Sequence, residues 1–204
     1  IYKFTEVTDI IVENGKIKGV KTNKGDISTN IVVNAAGGYS QDIAKMAGVD
    51  IPTYPERHEA YITEPIDRIM EPMVMSFSLN FYGQQVPHGG ILMGRGPDEH
   101  ENAKGYNMKS SWYFLEEMSK TFTKLLPPLK NVRIIRQWAG LYNMTPDRQP
   151  ILGPVDEVEG FYLAVGFSGH GFMFGPATGL LMAETILGEE TTLDISMLHL
   201  NRFK

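Results

Sequence analysis

Residues 161–187 have the sequence FYLAVGFSGHGFMFGPATGLLMAETIL, in which an apolar segment leads into a glycine-rich loop and then into a second apolar segment. The pattern predicts a strand over 161–167, a loop over 168–175 and a helix over 176–187. Pro176 suits the start of that helix, because its fixed φ is helical and its missing N–H is not needed there. The first N–H groups of a helix lack intrahelical partners, so the pattern favours an anion or an electron-rich ring beside the loop.

The glycine loop is compatible with two interpretations. Gly169, Gly171 and Gly175 surround His170, but the dinucleotide-binding fingerprint has its third glycine one position earlier. On geometry alone, the loop could be a simple connector between a strand and a helix. Phenylalanines beside the glycines could instead form a flat apolar wall for a planar aromatic cofactor, and these are Phe167, Phe172 and Phe174.

Residues 166–170, GFSGH, also resemble the G-x-S-x-G turn that presents a nucleophilic serine in hydrolases, except that His170 replaces the last glycine. A hydrolase would need an acid and a histidine downstream, and Asp194 with His199 is a poor pair for that role. Serine hydrolysis is therefore a remote alternative. The histidines are never at metal-ligand spacing, so we expect no metal site.

The composition narrows the classes of function. The chain has 204 residues, of which 42% are hydrophobic, and 19 Lys+Arg against 24 Asp+Glu give a net charge of −5. This acidic balance does not favour nucleic-acid binding. No apolar window is long enough to span a bilayer, and we expect a cytoplasmic protein. The absence of cysteine excludes disulfides, thiolate catalysis and any cofactor attached through a Cys sulfur.

The first fifty residues predict two features. Two β-rich runs, Val7–Glu13 and Lys16–Thr22, are joined by Asn-Gly, which is a strong hairpin signal. The apolar run 31–33 predicts a strand buried on both faces, and it leads into small residues that would permit a close approach to the backbone. Ser40 is then a candidate N-cap for a short helix over 41–47.

The middle of the chain predicts an antiparallel sheet with one long helix. The helix is expected over residues 111–126, with Leu115, Met118, Phe122 and Leu125 on its buried face. Two prolines then end it. The expected strands of the sheet are 58–63, 73–79, 90–94 and 132–138.

Three stretches together carry a family resemblance: 32–37 (VVNAAG), 139–147 (AGLYNMTPD) and 166–172 (GFSGHGF). They resemble the FAD-dependent amine and amino-acid oxidoreductases of the D-amino-acid oxidase superfamily. The most similar group is that of the sarcosine oxidase β subunit, which includes the FAD subunit of dye-linked proline dehydrogenase. The resemblance extends over essentially the whole chain, in the same order.

The resemblance implies an α+β or α/β fold, in which part of a Rossmann-like FAD-binding domain is combined with an antiparallel-sheet substrate domain flanked by helices. Residues 1–48 would be the rear part of the FAD domain, 49–152 the substrate domain, and 153–204 the return to the FAD domain with its C-terminal helix. The family's N-terminal G-x-G-x-x-G unit has no counterpart here. We therefore expect the chain to be the C-terminal part of a subunit, and to be inactive alone.

The resemblance also implies which residues meet the cofactor and the substrate. The expected FAD-binding residues are Asn34, Ala35, Ala36, Gly37, Gly140, Leu141, Gly169, His170, Gly171, Phe172 and Met173. The last five would offer backbone N–H groups to the pyrimidine edge of the flavin. The candidate residues of the substrate pocket, on the sheet, are Tyr61, Tyr82, Gln84 and His88.

Two departures from the family pattern affect these expectations. Monomeric sarcosine oxidases attach FAD to a cysteine at the position of Gly140, so FAD should be non-covalent here. Those enzymes also have a substrate-binding lysine at the position of Met173, so the substrate stays open. A carboxylate could instead be held by an arginine in the expected N-terminal part, or by Arg57, Arg95 or Arg136. The implied reaction oxidises the C–N bond of sarcosine, proline, an opine or a similar amine by hydride transfer to flavin, and no catalytic residue is assigned. The partners would be that substrate and further subunits. The alternative is a non-catalytic module that keeps the fold for assembly.

Overall fold

The computed structural model describes residues 1–98 and 100–204. The strands are β1 (Val7–Glu13), β2 (Lys16–Thr22), β3 (Gly25–Ser28), β4 (Val32–Asn34), β5 (Tyr54–Thr63), β6 (Val74–Ser76), β7 (Phe81–Gln85), β8 (Ile91–Arg95), β9 (Ile134–Met144), β10 (Ile151–Pro154) and β11 (Phe161–Val165). The helices are α1 (Ser40–Met46), α2 (Trp112–Leu125) and α3 (Gly171–Leu187). Among the described residues, none of these helices is long and apolar enough to cross a membrane.

The chain forms two compact units. The first unit combines Ile1–Pro55 with Tyr142–Lys204, and the second is Glu56–Leu141. The discontinuous arrangement resembles the one expected from the sequence, but its boundaries fall after residues 55 and 141 instead of 48 and 152. The difference arises because β5 and β9 are long strands that each cross a boundary between the units.

The first unit contains two three-stranded sheets. One has the order β1-β2-β3 and is antiparallel. The turn between β1 and β2 has positive φ at both Asn14 (52°) and Gly15 (73°), as in a type I′ hairpin turn, and the predicted hairpin is present with the predicted bounds. The other sheet has the order β10-β11-β4, in which β11 pairs with β10 antiparallel and with β4 parallel.

Strand β4 differs from the prediction of a strand buried on both faces. Asn34 is 2% exposed, whereas Val33 is 40% and Ile31 is 42% exposed. The reason is that the described residues cover the face of the strand that carries Asn34 but leave the face that carries Val33 partly open. Its alternate residues therefore face the unit's core and the outside in turn.

Helix α1 also begins differently from the prediction. Ser40 is its first residue and not its N-cap, which is Tyr39. The Ser40 hydroxyl is buried and donates to Oδ1 of Asn143 over 3.1 Å, so it joins a tertiary network instead of capping the helix.

Helix α3 begins at Gly171, five residues before the predicted start, and Pro176 lies inside it. The predicted loop is therefore too long. Proline is tolerated here because its φ is helical, and the backbone bond that it forgoes lies near the helix start, within the second turn. Gly188, with φ of 71°, ends the helix in the left-handed conformation.

The second unit is a five-stranded sheet with the order β6-β7-β8-β5-β9. Helix α2 packs on one face, and the core between them contains Tyr61, Phe81, Ile91, Met93, Phe114, Met118, Phe122 and Leu129. Strand β7 is absent from the prediction because Gly83 at its centre weakens the strand pattern. Glycine is needed there, since a Cβ at Gly83 would lie 2.5 Å from the Phe122 ring.

Helix α2 begins after Ser111, whose hydroxyl accepts the Phe114 N–H over 3.1 Å. Its buried residues are Phe114, Met118 and Phe122. The predicted buried face is thus rotated, because Leu125 is 44% exposed.

The C-terminal segment is attached to the first unit by a bidentate ion pair. Arg202 donates to both carboxylate oxygens of Asp147, over 2.8 and 3.2 Å, and also to the main-chain oxygen of Gln149 over 2.8 Å. The hydrogen bond from Arg202 lowers the pKa of Asp147 from 3.8 to about 2. A carboxylate with a lowered pKa stabilises the folded state above its unfolded pKa, and this contribution disappears as the pH falls through its folded pKa.

We therefore expect Asp147→Asn to lower the free energy of unfolding at neutral pH by about 1 kcal/mol, since the Asp147 side chain is 38% exposed and solvent screens the pair. The difference between wild type and variant should shrink as the pH falls below 3.8 and vanish below about 2. Urea unfolding at a series of pH values measures it. A difference that persists unchanged at the acid end would contradict the electrostatic origin.

Candidate functional site

The best candidate site lies at the carboxyl ends of two neighbouring parallel strands in the first unit. Strands β4 and β11 pair in parallel, with Asn34 opposite Leu163, so their carboxyl ends meet at one edge of the sheet. A turn containing glycine and then a helix follow each strand, α1 after β4 and α3 after β11. In open α/β sheets, ligands bind at such an edge.

The turn after β11 has an unusual backbone. Gly166, Ser168 and Gly169 all have positive φ, at 75°, 49° and 99°. The turn closes through a hydrogen bond of 2.9 Å from His170 N–H to the Phe167 carbonyl. Such a conformation is strained for serine, and strain of this kind is typical of functional turns.

Helix α3 starts directly after this turn and presents its N-terminus to the exterior. The first helical N–H bond within it is that of Phe174, to His170 O. The N–H groups of Gly171, Phe172 and Met173 therefore precede any intrahelical acceptor. The side chains at this helix start are exposed to solvent in the described chain, with Phe172 97% and Met173 65% exposed. This helix start can stabilise an anion or a developing negative charge.

Gly169 is held against an aromatic ring. A Cβ at Gly169 would overlap the Tyr142 ring, and a Cβ at Gly171 would lie 3.2 Å from Phe167. Burial raises the pKa of Tyr142, so its phenol stays neutral. The chain is thus packed tightly on one side of the turn, and only main chain can occupy position 169.

The turn after β4 has small residues and one internal anchor. The buried Asn34 side chain donates to Ser40 O over 2.8 Å and accepts the Ala36 N–H over 3.2 Å. Asn34 is therefore engaged in holding the turn. Gly37 has φ of 54°, and a Cβ there would meet nothing within 4 Å. The open part of this turn is formed by 35–37.

Asn143 connects the two turns. Its Oδ1 accepts the Gly166 N–H over 2.6 Å and the Ser40 hydroxyl over 3.1 Å, and its main-chain oxygen accepts the Ser168 N–H over 2.9 Å. Its Nδ2 is buried and has no hydrogen-bond partner among the described residues. An unmade hydrogen bond of this kind costs about 1–3 kcal/mol. Sequence reasoning missed Asn143 and Tyr142, although a polar side chain near the end of an apolar strand is a usable signal.

The remaining expected flavin contacts, Gly140 and Leu141, belong to the second unit. Both are partly buried, and a Cβ at Gly140 would meet nothing within 4 Å. The open space at Gly140 leaves room for a flat group near the backbone.

The four candidate pocket residues of the sheet are not on one face. Tyr61 is 1% exposed, packs edge-on to Phe114 at 5.9 Å beneath α2, and burial raises its pKa to about 12. Phe81 lies in the same core, so its neighbour Tyr82 points to the other face of the sheet, as does Gln84. His88 is exposed in the turn between β7 and β8. Tyr61 is therefore a core residue and does not fit a pocket that includes Tyr82.

Two of the three candidate arginines are engaged in a buried charged cluster. Arg57 Nε lies 3.5 Å from Glu59, and Arg95 Nη2 lies 2.8 Å from Glu101. Arg136 differs, because its guanidinium lies 5.6 Å from the Trp138 ring and pairs with no carboxylate of the described residues.

The hydrolase interpretation gains no support from the geometry. Among the described residues, the Ser168 hydroxyl donates to Gly166 O over 3.2 Å and accepts the Thr145 N–H over 3.3 Å, and no histidine bonds to it. The described histidines, aspartates and glutamates also form no cluster that could hold a metal ion.

Comparison with known proteins identifies the family. Residues 1–185 match the family of FAD dependent oxidoreductases, DAO. The chain is 32% identical to sarcosine oxidase subunit beta of Rhodobacter capsulatus, covering 89% of this chain and 43% of that protein. It is 28% identical to glycine oxidase of Pseudomonas putida, covering 93% of this chain and 50% of that protein.

A solved structure also resembles this chain in both fold and sequence. The crystal structure of L-proline dehydrogenase from P. horikoshii is 46% identical, with a TM-score of 0.91, over 98% of this chain and 54% of that chain. The chain spans about half the length of the relatives it matches. Its fold and its sequence agree, and the chain belongs to the DAO family of FAD-dependent oxidoreductases.

Proposed function

We propose that this chain supplies the flavin-facing turns and the substrate sheet of an FAD-dependent enzyme that oxidises the C–N bond of an amino acid or secondary amine. The observation that carries the proposal is the solvent-exposed N-terminus of α3, at the carboxyl end of a parallel strand pair. Together with family membership, it favours a cofactor whose ring becomes electron-rich when reduced.

The residues of the first unit fit such a ring. Main chain alone can occupy position 169, because a side chain there would overlap Tyr142. The N–H groups that begin α3 have no intrahelical acceptor. A side chain at Gly37 would enter open space, so the second turn leaves room for a ligand beside its backbone. These features support a flat, partly anionic ligand held by main-chain donors.

We infer that the main contribution of the chain is electrostatic positioning. When bound, FAD would supply the two-electron acceptor for oxidation of the substrate C–N bond. The N–H groups of Gly171, Phe172 and Met173 would stabilise negative charge on the pyrimidine edge, with each hydrogen bond to a charged group contributing about 1.5–3 kcal/mol. Since the chain has no cysteine, it cannot attach FAD through a Cys sulfur.

For the substrate, we propose the sheet face that carries Tyr82 and Gln84, with His88 at its rim. The names of similar proteins indicate sarcosine, glycine or proline as the chemical range. Arg136 is the preferred carboxylate anchor within the chain, because Arg57 and Arg95 are already paired with buried carboxylates. A small amino acid with a neutral amine is the substrate class.

We further propose that additional polypeptide binds the FAD pyrophosphate, since the chain covers about half of its relatives. A subunit partner is part of this proposal, because one relative is named as subunit beta. The assembled protein that contains this chain with its complete FAD site is called the holoenzyme below.

The proposal predicts that the holoenzyme is yellow and that its visible flavin absorbance bleaches when proline, sarcosine or glycine is added without oxygen. Anaerobic spectrophotometric titration measures this, and dithionite reduction of the same sample is the control for a reducible flavin. An amine that bleaches the flavin identifies the substrate class. Bleaching by dithionite but by no amine would favour the alternative function, a non-catalytic module that keeps the fold for assembly.

A further inference from the structure

The strained turn after β11 needs support from outside itself. Ser168, with φ of 49°, is in a conformation that costs energy for a residue other than glycine, so neighbouring groups must fix the backbone there. Internal bonds account for part of this support, since Ser168 Oγ donates to Gly166 O and His170 N–H donates to Phe167 O. Among the residues that the structure describes, the Gly166 N–H donates only to the side chain of Asn143, over 2.6 Å.

The same carboxamide oxygen also reaches the other turn. Asn143 Oδ1 accepts the Ser40 hydroxyl over 3.1 Å, and the Ser40 carbonyl accepts from Asn34 over 2.8 Å. A continuous series of buried hydrogen bonds therefore runs from β4 to the turn after β11. Asn34, Ser40 and Asn143 are all buried, and the oxygen atoms that form this series are hydrogen-bonded.

The side-chain amide of Asn143 has one buried donor without a partner among the described residues, which costs free energy of folding. Asn143 is 8% exposed, and its Nδ2 has no hydrogen-bond partner in the described part of the chain. The orientation of the amide is fixed, because a flipped amide would oppose its N–H groups to the Gly166 N–H. The Asn143 Oδ1 accepts from both Gly166 and Ser40, so the oxygen is the atom of the amide that links the two turns.

From this geometry we propose that Asn143 is a positioning residue for FAD, which fixes the turn at Gly166 relative to the turn at Asn34 and so sets the N-terminus of α3 against the flavin. The inference rests on the proposed function. Asn143 does not touch the reacting atoms, and it acts through the Gly166 N–H and the Ser40 hydroxyl.

The test replaces Asn143 in the holoenzyme and measures FAD affinity by flavin fluorescence, together with the flavin reduction potential. Asn143→Leu has a similar volume and no acceptor, and it should raise the FAD dissociation constant by about tenfold or more. Asn143→Thr, a strand-favouring residue whose hydroxyl is one bond shorter, should do the same and keeps the test valid if the leucine variant does not fold. Asn143→Asp retains an acceptor for Gly166 and should recover part of the lost affinity.

A control separates positioning from general stability. Ile17→Ala removes a side chain that is 1% exposed in the core of the same unit and belongs to neither turn, so it should lower stability without changing FAD affinity or potential. Wild-type FAD affinity and potential in the folded Asn143 variants would overturn the inference, as would an equal loss in Ile17→Ala. Failure of the unsubstituted holoenzyme to bind FAD would overturn the proposed function as well, whereas equal binding in wild type and variants would overturn this inference alone.

Discussion

Gly169→Val should abolish FAD retention by the holoenzyme. Position 169 has φ of 99°, which a β-branched residue does not adopt without strain, and a Cβ there would overlap the Tyr142 ring. The turn would have to open, and the N–H groups that begin α3 would move with it. The flavin-to-protein absorbance ratio after gel filtration measures the effect, and we expect a loss on the order of a hundredfold in affinity, which is about 3 kcal/mol.

Gly188→Ala is the matched control for this substitution. Gly188 also has positive φ, at 71°, and lies at the opposite end of the same helix, but a Cβ there would meet nothing within 4 Å. The control should therefore cost only the backbone strain of about 1–2 kcal/mol and keep its FAD. Full FAD occupancy in Gly169→Val would show that the turn is a connector, and equal loss in both variants would assign the effect to strain.

The parts of the fold that could be predicted are those with local causes. The hairpin at Asn14 and Gly15 depends on two adjacent residues that tolerate positive φ, and it is present with its predicted bounds. The family predicted from the three quoted stretches is confirmed by the match over residues 1–185. The predicted fold class, a mixed α+β or α/β architecture, is confirmed too, because the matched crystal structure has a TM-score of 0.91.

The parts that failed have tertiary causes. Pro176 and the glycines around it predict a late helix start, whereas α3 begins at Gly171, where the strained turn ends. Gly83 weakens the sequence pattern of β7, and a glycine is needed there because the Phe122 ring occupies the space of a side chain. Ser40 has the properties of an N-cap, but Asn143 takes its hydroxyl from across the unit. A single sequence does not show which distant residues lie together in the fold, and those contacts decide each of these cases.

The flavin-contact residues all stay predictions, and a lack of local sequence signals is one reason. Backbone donors such as those of Gly171 to Met173 have no side-chain signature, and only glycine spacing suggests them. Tyr61 shows the opposite error, because a tyrosine in a strand has the same appearance in sequence on either face of a sheet. Its packing beneath α2 removes it from the proposed pocket.

Phe122→Ala should destabilise the second unit by about 3–5 kcal/mol, the range measured for removal of a buried phenylalanine. The Phe122 ring is 2% exposed, meets the Phe81 ring edge-on at 5.0 Å and fills the space above Gly83, so its loss leaves a cavity between α2 and the sheet. Leu125→Ala on the same helix is the control, because Leu125 is 44% exposed and should cost less than about 1 kcal/mol.

Urea unfolding followed by tryptophan fluorescence suits this comparison, since Trp112 and Trp138 are the two tryptophans of the chain and both belong to the second unit. The midpoint should fall strongly for Phe122→Ala and little for Leu125→Ala. Equal shifts, or a larger shift for Leu125→Ala, would restore the helix face expected from the sequence and contradict the rotated face that Phe114, Met118 and Phe122 define. The result matters for the proposed function, because this helix supports the sheet whose opposite face carries Tyr82 and Gln84.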